Sequence, residues 1–235
     1  VPDFSTQGTR SLEGIGLLAG LAAGERDRLT KDCRWHAIGR GAAVVSAEAG
    51  STDVYFIATG RVRVTFYSTS GREVAFRDLG AGSSFGELAA IDGYARSATV
   101  IVIDDAIVAS ISRDRFWRLL RASPEICENV LRNLTALVRD LSSRIVDTTV
   151  LSVPQRVRAE IVRLARGAGQ KGKSALIANR PTHAELASQI GATREAVSRE
   201  LSRMASEGLV ERRGRDLLVH DVASLQDSIE SLRES

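Results

Sequence analysis

Cysteine and histidine are scarce in this chain, and their scarcity removes whole classes of chemistry. Cys33 and Cys127 are the only cysteines among 235 residues, too few for a disulfide scaffold or a four-cysteine iron–sulfur cluster. The three histidines, His36, His183 and His220, stand far apart and form no spacing typical of zinc ligands. No metal is expected. Long hydrophobic runs are missing too, since none approaches the ~18 residues of a membrane span. The short apolar patch from Gly14 to Leu21 lacks the basic flank and small-residue cleavage site of a signal peptide. A cytoplasmic protein without a membrane partner is the expectation.

What is present describes a globular chain, with 43% hydrophobic and 26% charged residues, long enough for one large or two ordinary domains. Charge is uneven along it. Residues 151–235 hold 14 Lys and Arg against 11 Asp and Glu, whereas residues 1–150 hold 18 of each. The surplus of positive charge lies in the C-terminal part, which suits a phosphate-rich partner there.

From Cys33 onward the pattern is one of short alternating or β-branched runs: Val54 to Ile57, then Val62, Val64 and Phe66, then Val74 and Phe76, punctuated by glycines. Two more strands are expected over Ala98 to Ile103 and Ile107 to Ile111. Many short strands with glycine turns describe a β-roll or jelly roll. Into this β pattern is set Ser84-Phe85-Gly86-Glu87-Leu88-Ala89-Ala90, followed by Arg96-Ser97-Ala98. Gly86 lets the backbone approach a ligand closely, and the next residues resemble a short helix start, whose free N–H groups attract anions. Glu87 can accept from sugar hydroxyls, Arg96 can fork onto phosphate oxygens, and Ser97 adds a hydroxyl. The alternative is a structural ion pair between Glu87 and Arg96.

Ser123-Pro124-Glu125 has the cap, first-turn proline and acidic residue of a helix start. The helix it opens carries Val130, Leu134, Leu137, Leu141, Ile145 and Thr148 at alternating four- and three-residue spacings, a stripe like a coiled-coil seam. Thr148, Thr149, Ser152 and Pro154 break that pattern and mark a hinge. Further on, Gly167 to Ser174 satisfies the P-loop pattern G-x-x-x-x-G-K-S. A P-loop needs a buried strand before it and a helix after it. Here a charged amphipathic helix precedes and an extended run follows, so we read the match as a decoy, not as a nucleotide hydrolase.

Thr182 and Glu185 form a capping box at the start of a helix, Gly191 supplies a turn, and Thr193 caps a second helix that runs from Arg194 to about Glu207. Helix, short turn, helix is the helix-turn-helix pattern. Val197, Leu201 and Met204 share one side of the second helix, while Arg194, Glu195, Ser198, Arg199 and Ser202 fan over another. Arginine can bond two acceptors on a guanine edge, and glutamate can accept from a cytosine amino group. A solvated charged face with an i,i+4 pair of Glu195 and Arg199 is the alternative. Leu209 to Glu211, Arg212-Arg213-Gly214-Arg215 and Leu217 to Val219 read as a strand, a basic turn and a strand, a wing whose arginines suit phosphate contact.

Two of these motifs resemble one family. Phe85-Gly86-Glu87-Leu88-Ala89, with Arg96-Ser97-Ala98 nine positions after the Glu, resembles the phosphate-binding cassette of cyclic-nucleotide-binding domains. Ile190 to Arg199 resembles the recognition helix of the cyclic-AMP receptor (catabolite activator, CRP-FNR) family. The resemblance spans roughly residues 20–222. It implies an α+β chain with four parts: a β-roll over 1–124, a dimerisation helix over 125–148, a hinge over 149–154 and a winged helix-turn-helix over 155–235. It further implies no enzymatic activity and no catalytic residues, a homodimer, a palindromic double-stranded DNA target, and contact with RNA polymerase through the exposed basic loop near Lys173.

By resemblance, Glu87 takes the ribose hydroxyl, Arg96 and Ser97 the cyclic phosphate, and the N–H groups of Gly86 to Leu88 assist. Arg194, Glu195 and Arg199 read bases, while Thr193 and Arg213 contact the backbone. Leu141 and Ser142 fall where the family places an adjacent Thr and Ser against the base. Leu141 cannot hydrogen-bond a base edge, so cyclic GMP is expected alongside cyclic AMP as a ligand. The ligand is expected to stabilise the helix near Asp147 to Ser152 and to set two recognition helices about one DNA turn, ~34 Å, apart. The competing reading within this resemblance is a cyclic-nucleotide-binding regulatory module without a DNA role. The complete helix-turn-helix argues against it.

Overall fold

The computed structural model describes residues 10–48, 50–67, 73–168 and 170–231. These residues form two compact units divided between Leu137 and Val138.

The first unit opens with a 3-10 turn at Gly16–Leu18 and helix α1 (Ala23–Asp32). Then come β1 (Arg34–Ile38), β2 (Ala43–Val45), β3 (Val54–Tyr67), β4 (Glu73–Gly80), β5 (Ser84–Phe85), the short α2 (Glu87–Asp92), β6 (Thr99–Ile111) and α3 (Arg113–Ala122). The strands are antiparallel in the order β1-β6-β3-β4, with β2 paired to β6 and β5 to β3.

Where the pattern suggested pairs of short strands over 54–66 and over 98–111, β3 and β6 are each continuous. Gly60 makes this possible. Its φ is +83°, and a Cβ there would stand 2.3 Å from the Asp105 carbonyl oxygen. The β3–β6 ladder slips at this point, between Ile57 and Val62, so one bulged strand supplies both walls of the roll. Inside it, Tyr55, Ile57, Val62, Phe85, Val100 and Val102 form one apolar cluster. On the opposite face Leu18, Leu29, Phe56, Phe116 and Ile126 form another, under α1 and α3.

The long helix α4 (Pro124–Val150) starts as its sequence suggests, the Ser123 hydroxyl accepting from the Ile126 N–H at 3.4 Å. It runs on through Thr148 and Thr149. Both hydroxyls donate to carbonyls of the preceding turn, at Arg144 and Ile145, so neither interrupts the helix. The apolar stripe also differs from the expected one. Val130 is 4% exposed and packs in its own unit's core, and Leu134 lies against the same cluster. Leu131, Val138, Leu141 and Ile145 are instead 39 to 66% exposed. Their heptad spacing is intact, shifted by one residue at its start.

The second unit continues with α5 (Val153–Gly167), β7 (Gln170–Lys171), β8 (Ser174–Ile177), α6 (His183–Ile190), α7 (Arg194–Ser206), β9 (Val210–Arg213), β10 (Asp216–Val219) and α8 (Val222–Ser231). A sheet in the order β7-β8-β10-β9 lies beside a helical core of Val157, Ile161, Leu186, Val197, Met204 and Leu225. The P-loop-like segment is a β-hairpin, Lys171 pairing with Ser174 across the turn. Its Gly169 lies outside the described residues. With a helix before it and no helix after it, the segment has no phosphate cradle. Both cysteines are free, and burial pushes the Cys33 thiol up to about 12. Among the described residues no helix is long and apolar enough to cross a membrane.

Candidate ligand and nucleic-acid sites

In the first unit the chain leaves β5 at Gly86, whose φ of +91° would strain any other residue. A Cβ there would also stand 2.7 Å from both the Arg96 Nη1 and the Asp53 carbonyl oxygen. That crowding reflects a closed clamp. Arg96, 7% exposed, donates from Nη1 to the Gly86 carbonyl at 3.1 Å, and from Nη2 to the Ser51 hydroxyl at 3.0 Å and the Asp53 carbonyl at 2.7 Å. Its guanidinium carbon lies 5.5 Å from the Tyr55 ring centroid, and Tyr55 stacks on Phe85 at 5.0 Å. Burial draws the Arg96 pKa below its ordinary value, against the influence of Tyr55, Asp53 and Glu87.

Two polar atoms of this loop are buried with no hydrogen-bond partner: Nε of Arg96 and Oε2 of Glu87. The two side chains form no ion pair with each other, which removes the structural alternative. Burial pushes the Glu87 carboxyl above the usual range, against a backbone hydrogen bond and the charges of Arg77 and Arg96. An orphaned donor and an orphaned acceptor in one loop are costly unless a ligand answers both. A molecule presenting hydroxyls beside an anion does so. Ser97 and Leu88 are exposed next to them. Leu141 and Ser142 lie on α4 in the second unit, both exposed. Ser51, Asp53, Tyr55 and Arg77 were not singled out by sequence reasoning, because their part depends on strand pairing.

In the second unit the capping box of α6 is formed in both directions, Thr182 N–H to Glu185 Oε2 at 2.7 Å and Glu185 N–H to Thr182 Oγ1 at 3.3 Å. Gly191 turns the chain at φ +62°, and Thr193 Oγ1 caps α7 by accepting from the Ala196 N–H. Val197, Leu201 and Met204 are buried, as is Glu200, while Arg194, Glu195 and Arg199 are exposed. No ion pair joins Glu195 to Arg199, so the face is not self-neutralised. Arg158 of α5 anchors the inner side of α7: Nε donates to Glu200 at 2.6 Å and Nη2 to Glu207 at 2.8 Å.

Beside the start of α6 gathers a basic cluster that the sequence did not announce. Burial and then the charges of Arg180, Arg194 and Arg212 hold the His183 pKa below its ordinary value, with no carboxylate opposing them. Arg180 is itself depressed by burial and Arg212. Mutual repulsion of this kind is relieved by an anionic partner. At the wing, Arg213 is held by Glu211 through two bonds of 3.0 Å, while Arg212 donates only to the Gly214 carbonyl at 3.3 Å. Arg180-Pro181 directly before a helix cap was the one sequence signal that could have drawn attention to the cluster.

A cyclic nucleotide-binding domain model matches residues 36–123, and a Crp-like helix-turn-helix domain model matches residues 155–228. The chain is 28% identical over 211 residues to a CRP-like cAMP-activated global transcriptional regulator of Mycobacterium tuberculosis, covering 89% of this chain and 94% of that one. It is 27% identical to the crystal structure of the Thermus thermophilus catabolite activator protein, at a TM-score of 0.53, with 92% and 99% of the two chains covered. A CooA mutant from Carboxydothermus hydrogenoformans shares the fold at a TM-score of 0.76 and 21% identity, over 93% and 95% of the two chains. Fold and domains together define a DNA-binding transcription regulator with a cyclic-nucleotide-binding domain, not an enzyme. The chain belongs to the CRP-FNR family.

Proposed function

We propose that this protein is a homodimeric regulator whose affinity for palindromic DNA rises when cyclic AMP or cyclic GMP enters the cassette. The observation that carries the reading is the pair of buried, unpartnered atoms, Arg96 Nε and Glu87 Oε2, which match the phosphate and ribose hydroxyl of one small molecule. Arg96 and Ser97 hold the cyclic phosphate, with the N–H groups of Gly86 to Leu88, and Glu87 accepts from the ribose. Leu141 packs on the base and Ser142 offers one hydroxyl to it. The exposed apolar heptads of α4 suit a second copy of the helix, and the hairpin near Lys173 suits a contact with RNA polymerase.

Because Leu141 supplies no hydrogen bond, adenine and guanine are poorly separated there. Cyclic GMP should bind within tenfold of cyclic AMP, a gap of about 1.4 kcal/mol. Calorimetry checks this directly, and a hundredfold preference would refute it. The switch is tested by titrating operator DNA at matched salt with and without each nucleotide. Equal affinity in all cases would remove ligand control, since only differential binding to the DNA-competent state shifts it.

On the DNA side, Arg194, Glu195 and Arg199 read base edges, Thr193 contacts the backbone, and Arg213 joins Arg180, Arg212 and His183 in holding phosphates. Arg199→Ala should weaken specific binding by about 2 kcal/mol and flatten the preference at one base pair. Arg212→Ala should weaken all sequences alike and reduce the salt slope by about one. Binding isotherms on operator variants at several salt concentrations separate these two outcomes.

A further inference from the structure

The cassette does not hold the only arginine on the inner side of the roll. In the β3–β4 ladder Val62 faces Leu79 and Val64 faces Arg77, after which the register slips so that Thr65 faces Ala75 and Phe76 is the extra residue. Side chains two apart along a strand share a face. Arg77 therefore shares its face with Val62, Val64 and Leu79, all part of or packed on the inner apolar cluster. Its neighbour Asp78 points the other way and is held by Arg63 through bonds of 2.6 and 2.8 Å. Arg77 has no such partner. Its Nε is buried without a hydrogen bond, and among the described residues no ion pair or hydrogen bond reaches its guanidinium.

An arginine set into an apolar wall without an acceptor is a costly arrangement, and the acceptor it lacks has a definite place. Arg77 exerts more influence on Glu87 than Arg96 does, and it is not among the groups that bear on Arg96. Going from Arg96 to Glu87 to Arg77 follows the ligand from phosphate to ribose to what lies beyond the ribose.

We propose that Arg77 is a specificity-determining residue that reads the purine edge of the bound cyclic nucleotide, donating two parallel N–H groups to O6 and N7 of guanine. Guanine presents two acceptors on that edge, whereas adenine presents one acceptor and one donor that opposes the guanidinium. Arg77 thus lifts cyclic GMP toward cyclic AMP. This inference rests on the cyclic-nucleotide reading of the cassette.

The test is calorimetry on the full chain with cyclic AMP, cyclic GMP and cyclic IMP, for the wild type, Arg77→Met and Arg77→Lys. Cyclic IMP keeps O6 and N7 but lacks the 2-amino group of guanine. Arg77→Met should weaken cyclic GMP and cyclic IMP about tenfold and cyclic AMP less than threefold. Arg77→Lys, which keeps the charge but loses the fork, should fall between. Retained cyclic-AMP affinity shows that each variant is folded. A uniform loss across the three nucleotides, or a loss confined to cyclic GMP with cyclic IMP unaffected, would overturn the role of Arg77 while leaving the cassette reading intact. Failure of the wild type to bind any of them would overturn both.

Discussion

Arg96→Ala should weaken cyclic-nucleotide binding ~150-fold, about 3 kcal/mol, because it removes a buried cation from a bound phosphate. The substitution acts twice. It deletes the Nε donor that is buried and unanswered within the protein, and it opens the clamp that ties the loop to Ser51, Asp53 and Gly86. Arg96→Lys should recover only part of the loss, since an ammonium keeps the charge but cannot occupy Ser51, Gly86 and Asp53 while presenting a planar edge to phosphate. Calorimetry with cyclic AMP reads both variants. An Arg96→Ala protein that binds within threefold of the wild type would displace the phosphate from this loop.

The larger stability effect is expected in the second unit. Arg158 and Glu200 are 2 and 4% exposed, and truncating one member of so buried a pair leaves the other charge uncompensated in the core. Arg158→Ala should destabilise that unit by about 3–5 kcal/mol, read by guanidinium denaturation. Glu207 does not soften this result, because its side chain, 34% exposed, stays hydrated without Arg158. Replacing both buried members, as Arg158→Met with Glu200→Met, should be much milder, since no lone charge remains. If the double change is as harmful as the single one, packing and not charge holds α7 against α5. Specific DNA binding should fall together with stability in Arg158→Ala, because the recognition helix takes its seat from this contact.

Different physical rules governed what could be read in advance. The capping box at Thr182, the turns at Gly86 and Gly191, the start of α4 and the inward residues of α7 are local matters. A helix cap or a positive φ depends on a few consecutive residues, so spacing reveals it. The P-loop match was set aside on the same basis, and the hairpin at Lys171 and Ser174 agrees with that. The strand count was less legible. Gly60 reads as punctuation between strands, yet its fit against Asp105 and Ala106 makes it the point where one long strand turns from one wall to the other.

By itself, then, the sequence determined the two-part plan and the order of its elements. It also picked out the loop around Glu87 and Arg96 and the exposed face of Arg194, Glu195 and Arg199, because each is written in residues close together along the chain. Only the tertiary structure decided which charges end up buried and against what. The slip at Phe76 turns Arg77 inward, strand pairing brings Ser51 and Asp53 onto Arg96, α5 reaches the inner side of α7 through Arg158, and Val130 is drawn into its own core so that the exposed heptads start at Leu131. The cost of a buried charge depends on the partners that distant segments bring to it, and no spacing within one segment carries that information.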